Sequence, residues 1–177
     1  MNYFEVFDLP QLLGIDTKAL EKKFHELSRR YHPDYFTTAS EEEKSKALRM
    51  TALLNDAYRT LRNSERRAEY LLRINGFKAD GSKVPKSLLM EVFEINEQLE
   101  DIKMAGGNPV ELEALRTQVR AKRDGFEKSL AKCRDDWDAL VLAGADEATR
   151  KKQLEKLADV LSESSYIANL EEELAEV

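Results

Sequence analysis

The sequence predicts an all-α fold in two units, a helical hairpin at the N-terminus followed by a three-helix bundle. Three observations predict it. Glycine (7) and proline (4) are scarce in 177 residues, and the strong helix formers Leu, Ala, Glu and Lys are abundant. Apolar residues recur at helical spacing in most segments, while no strong alternating run and no hairpin turn signal marks a strand. Short breaker clusters separate the long periodic stretches.

Asn2 to Phe7 reads as a short apolar-rich helix ended near Pro10. Asp16 or Thr17 can cap the second helix, whose apolar stripe is Leu20, Phe24, Leu27 and Tyr31. His32-Pro33 stops it, because the residue before proline avoids the helical region. After a polar loop, Ser40 caps a third helix and Glu43 completes a capping box. The stripe of this third helix is Ala47, Met50, Leu54, Ala57, Tyr58 and Leu61. Asn63-Ser64 breaks and re-caps the chain, and Glu65 to Ile74 forms a fourth helix. The first unit therefore spans residues 1–75. Residues 76–86, with two glycines and a proline, are the expected linker. The second unit, residues 87–177, holds three long helices. The first runs from Ser87 to Met104 and ends at Gly106-Gly107-Asn108. Pro109 opens the second in the favoured first-turn position, with Leu112, Leu115, Val119, Phe126, Leu130, Cys133, Trp137 and Leu140 on its stripe and Gly144 at its close. The third starts near Asp146 and carries Leu154, Leu157, Leu161, Leu170 and Leu174. Short turns between long helices imply an antiparallel bundle.

Composition narrows the function. Charged residues make up 35% and hydrophobic residues 42%, enough for a core. The single cysteine, Cys133, permits neither an internal disulfide nor a cysteine-based metal site. No stretch approaches the roughly 20 apolar residues that span a bilayer, and the opening residues lack the basic character of a signal peptide. The chain is expected to be cytoplasmic. A net charge of -6 argues against nucleic acid as the main partner. Charge is also unevenly placed. Between Lys18 and Tyr31, Lys18, Lys22, Lys23, Arg29 and Arg30 face only Glu21 and Glu26. From Glu155 onward seven acids face Lys156 alone, so the two ends suit different partners.

His32-Pro33-Asp34 lies between two amphipathic helices, the first with a basic exposed face. Proline stiffens the turn and leaves a polar tip beside that face, which suits docking on an acidic protein surface. A catalytic reading finds little support. The only histidines are His25 and His32, and no nucleophile elbow or phosphate loop is present. A metal site from His25, His32 and Asp34 lacks a fourth ligand. The order of Tyr3-Phe4, Phe7, Leu9-Pro10, the basic helix, His-Pro-Asp, and a helix containing Leu54-Asn55-Asp56-Ala57-Tyr58 resembles the J domain. The resemblance implies that His32, Pro33 and Asp34 trigger ATP hydrolysis by a chaperone of the DnaK class, with Lys22, Lys23, Arg29 and Arg30 as docking charges. The family often has Lys or Arg after the Asp; here it is Tyr35.

The helix from Ser87 to Met104 carries a second pattern. At about 100° per residue, Leu88, Val92, Ile95, Leu99 and Ile102 fall within about 40° of one line, while Leu89, Met90 and Phe93 lie roughly 100° to 200° from it. Glu94 and Glu97 continue that outer face. Either the helix is covered on several sides, for instance by the first unit, or it presents an apolar patch with an acidic rim, as protein-binding surfaces do. An N-terminal J domain, then Arg67-Ala68-Glu69-Tyr70-Leu71-Leu72, then Leu-Met-Glu opening an acidic bundle, is similar to the HscB family of iron–sulfur co-chaperones. The similarity covers essentially the whole chain. It implies that Leu89, Met90, Phe93, Glu94 and Glu97 bind an IscU-type iron–sulfur scaffold, which is delivered to an HscA-type chaperone. Phe93 stands where the family commonly has Leu. An aromatic of the last helix also contributes in the family; Tyr166 is one candidate, and the resemblance does not fix the position. Some relatives carry Cys-x-x-Cys pairs ahead of the J domain; this chain has none, so no metal or cofactor is expected. The implied protein is a non-enzymatic co-chaperone. The alternative is a general J-domain co-chaperone with another client, although the Gly/Phe-rich linker and zinc repeats of that class are missing. A structural coiled-coil adaptor would have no use for His-Pro-Asp.

Overall fold

Every helix but the last starts on a side-chain or proline signal already present in the sequence. The computed structural model describes residues 1–79 and 84–177, so residues 80–83 of the expected linker lie outside it. Helix α1 (Tyr3–Val6) opens on a capping box between Asn2 and Glu5. Asp16, the first of the two candidates, caps α2 (Thr17–Arg30) by accepting the Lys18 and Ala19 amides. A 3-10 turn (Pro33–Phe36) follows. Ser40 and Glu43 form the expected box at α3 (Glu41–Leu61), and Asn63 caps α4 (Ser64–Ile74). Pro85 precedes α5 (Lys86–Met104), and Asn108 with Pro109 opens α6 (Pro109–Leu142). Asp146 caps α7 (Glu147–Leu161), and α8 (Ser164–Ala175) ends the chain. No strand occurs among the described residues.

The third bundle helix expected from Asp146 through Leu174 is in fact two. The physical reason is visible in the spacing. At about 100° per residue, Leu154, Leu157 and Leu161 share one face, but Leu170 and Leu174 fall roughly 180° away. A continuous helix would leave one set in water. The chain breaks at Ser162-Glu163 instead, with the Ser162 hydroxyl donating to the Asp159 carbonyl at 2.5 Å. Each apolar set then meets a different core.

Those cores are joined by α6, about 51 Å long at 1.5 Å per residue. The larger core takes Phe4, Phe7, Leu20, Leu54, Leu61 and Leu71 from α1–α4 together with Phe126, Leu130 and Trp137 of α6 and Leu157 and Leu161 of α7. The smaller core is a three-helix packing of α5 (Ile95, Leu99, Ile102), the first half of α6 (Leu112, Leu115, Val119) and α8 (Leu170, Leu174). The N-terminal helices thus share apolar burial with α6 and α7. Leu157, 1% exposed, tests this. Leu157→Ala is expected to cost about 2–5 kcal/mol and to lower the denaturation midpoint seen at Trp137 and at the α3 amides together. Separate transitions for the two probes would contradict a shared core.

Candidate functional site

Helices α2 and α3 form a hairpin whose tip is the His-Pro-Asp turn. The Phe24 and Tyr58 rings stack at 4.3 Å, and the Thr51 hydroxyl donates to the Tyr31 carbonyl at 3.1 Å. These contacts clamp the end of α2 against α3. His32 is extended (φ -63°, ψ 133°), Pro33 supplies the first position of the 3-10 turn, and the Tyr35 amide donates to the His32 carbonyl at 3.0 Å. His32, Pro33 and Asp34 are all exposed. The Asp34 amide donates to His32 Nδ1 at 3.3 Å, which assigns the proton of the neutral ring to Nε2. An Asp34 carboxylate oxygen lies 3.4 Å from the same nitrogen. The turn therefore presents a donor and a carboxylate from a braced backbone. Tyr35, in the place of the usual basic residue, is 73% exposed with its ring edge-on to His32 at 6.4 Å.

The basic residues of α2 separate into two groups. Lys18, Lys22, His25 and Arg29 fall within about 60° of one another, opposite the stripe that packs on α3. Lys22, Arg29 and Arg30 are exposed, with no carboxylate within 4.0 Å among the described residues. Arg30 lies over the Tyr31 ring at 5.9 Å. Lys23 differs from the other expected docking charges. It is half-buried, turned from that line, and 3.8 Å from an Asp8 carboxylate. That pair is partly solvated and contributes little to stability, but it occupies the charge.

On α5 the inner stripe is covered and the outer face is open. Ile95, Leu99 and Ile102 are buried, whereas Leu89, Met90 and Phe93 are 40%, 65% and 68% exposed. Glu94 and Glu97 are exposed beside them. No described residue of α1–α4 buries this face, which removes the covered-helix alternative. Glu91 forms an ion pair with Lys122 of α6, fixing the flank of the patch. The same face continues to Met104, 84% exposed. The helical angle that places Glu97 on this face reaches Met104 two turns later, a residue not among those expected from the sequence. Tyr166, on α8, is half-buried.

The two halves of this geometry match known families. The DnaJ domain profile matches residues 2–70, and the profile described as the HSCB C-terminal oligomerisation domain matches residues 84–175. The chain belongs to the HscB co-chaperone family. A HscB homologue from Vibrio cholerae is 38% identical over 162 residues, covering 89% of this chain and 92% of that protein. A second, from Vibrio vulnificus, is 44% identical over 105 residues, covering 58% of this chain and 61% of that protein. Among solved structures, the chaperone HscB from Vibrio cholerae superposes with a TM-score of 0.67 at 34% identity, covering 99% of this chain and 96% of that one. The human co-chaperone HscB gives 0.74 at 25% identity, covering 99% and 81%. The all-α architecture, a J domain followed by the HscB-type helical domain, stands as expected, and the chain is a J-domain co-chaperone of iron–sulfur cluster assembly. No described helix is long and apolar enough to cross a membrane. Among the described residues no group of three or more His, Cys, Asp or Glu is placed to hold a metal ion. Within this HscB-type chain, Cys133 is buried and its thiol is pushed up chiefly by burial, which makes it a core residue and not a nucleophile.

Proposed function

We propose that the chain captures an IscU-type iron–sulfur scaffold on α5 and presents it to an HscA-type chaperone docked on the J domain, stimulating that chaperone's ATPase. The observation that carries this reading is the open apolar face of Leu89, Met90 and Phe93, set on the same chain as an exposed His-Pro-Asp turn. Large apolar side chains left in water on a helix with a buried opposite face are suited to a protein partner. Met supplies adaptable packing and Phe an anchor. Glu94 and Glu97 form the polar rim and favour a basic scaffold surface. On the J domain, His32, Pro33 and Asp34 engage the chaperone, and Lys22, Arg29 and Arg30 steer an acidic surface to them. Lys23 assists only after leaving Asp8.

Joining two modest contacts on one chain raises the effective concentration of client at the ATPase without new chemistry. The cluster is cargo, held by the scaffold throughout; the chain contributes no ligand or cofactor, turns over no substrate and works in the cytoplasm. Cluster transfer from a loaded scaffold to an apo acceptor, followed by visible absorbance, tests this. Transfer is expected to accelerate only when chain, chaperone and ATP are all present. A rate equal to that with chaperone and ATP alone would contradict the reading.

A further inference from the structure

The two halves meet at a polar joint on the loop that leads into α2. The Asp138 carboxylate accepts the Leu13 amide on Oδ1 at 2.7 Å and the Gly14 amide on Oδ2 at 2.6 Å. The neighbouring Trp137 indole N–H donates to the Gln11 carbonyl at 2.8 Å. Arg67 Nε donates to the Leu13 carbonyl at 2.8 Å, and a second nitrogen of the same guanidinium donates to the Leu61 carbonyl. Asp138 and Trp137 belong to α6, and Arg67 belongs to α4. Arg67 is 5% exposed. Burial pushes its guanidinium down, and the Asp138 charge opposes that shift.

Gly14 shows how closely the parts fit. Its φ is not in the left-handed region, so glycine is not demanded by backbone conformation. A Cβ there would lie 2.6 Å from Asp138 Oδ2. An alanine there would displace the carboxylate from the loop amides. From this joint, α6 runs without a break to the segment that seats α5, through Leu112, Leu115, Val119 and the Lys122–Glu91 pair. Lys122 and Asp138 are about 24 Å apart along the helix. Apolar burial resists separation but is non-directional. Paired amide-to-carboxylate hydrogen bonds are directional. Helix α2 packs Leu20, Phe24 and Leu27 against the core and α3, and the loop that enters it is tied to α6 by Asp138.

We propose that Asp138 is a positioning residue: by holding Leu13 and Gly14 it fixes the chaperone-docking helix α2 relative to the client-binding helix α5, so that captured scaffold adds to ATPase stimulation. The inference rests on the two-site reading above.

The test measures steady-state ATPase of the chaperone with and without scaffold, for wild type, Asp138→Asn, Gly14→Ala and the double variant, with scaffold affinity measured by titration. The expected result is stimulation without scaffold, and scaffold affinity, within about twofold of wild type, with the scaffold-dependent increment reduced about threefold to tenfold in each single variant. The double variant should be no worse than the worse single, because both break one contact. An increment preserved in both single variants would overturn the proposal. So would a parallel loss of stimulation without scaffold, which would make the joint a support of the J domain alone. Losses that multiply in the double variant would do the same. If wild type itself shows no scaffold-dependent increment while still stimulating the chaperone, the two-site reading falls and takes the proposal with it.

Discussion

Replacing His32 with Gln is expected to abolish stimulation of the chaperone while leaving the fold intact. His32 is exposed and its side chain bonds only within its own turn, so the stability change should stay within about 0.5 kcal/mol. The functional loss should be much larger. A central contact of an interface is worth about 2 kcal/mol or more, which is roughly thirtyfold in a binding constant. Gln can hydrogen-bond, but it cannot place a planar donor on the far side of a ring braced by the Asp34 amide. Single-turnover ATPase at rising concentrations of the chain separates weaker docking from a lost trigger. Recovery of full stimulation only at high concentration would assign His32 to docking, and a concentration dependence identical to wild type would remove His32 from the mechanism.

The second large effect is expected at α5. Leu89→Ala/Met90→Ala/Phe93→Ala removes three exposed apolar side chains. Fully burying such a side chain contributes about 1.5–3 kcal/mol, and part of that is offset by ordering the interface. Scaffold affinity is therefore expected to fall about a hundredfold or more. The core beneath, Ile95, Leu99 and Ile102, is untouched, and alanine suits an exposed helix position, so the melting temperature should hold. Titration calorimetry against the scaffold reads the loss. An unchanged affinity would move the client site off this face.

Much of this was legible in the sequence because the rules involved are local. Ser40 with Glu43, Asn108 with Pro109, and the angle separating Leu89, Met90 and Phe93 from Ile95 and Leu99 depend on neighbours within about three turns. The break at Ser162 was missed for a different reason. The leucine count from Leu154 to Leu174 fits a helix, but its direction reverses after Leu161, and only the running angle reveals that. Lys23 shares its composition with Lys22, and its pairing with Asp8 depends on the α1–α2 loop folding back. The joint at Asp138 was beyond reach. One Asp among many charges on α6 carries no local mark, and its partners lie more than 120 positions earlier. Trp137 was read as a core residue, which holds for its ring; its indole N–H has the further task of binding Gln11.

The most direct measurement of the central claim is steady-state ATPase of the cognate chaperone with this chain, with and without scaffold, comparing wild type with the Leu89/Met90/Phe93 triple-alanine variant. Two-site delivery predicts that scaffold raises activity strongly with wild type and weakly with the variant, while stimulation without scaffold is the same for both. If scaffold makes no difference with either protein although both stimulate the chaperone, the J domain functions but α5 does not deliver an iron–sulfur scaffold.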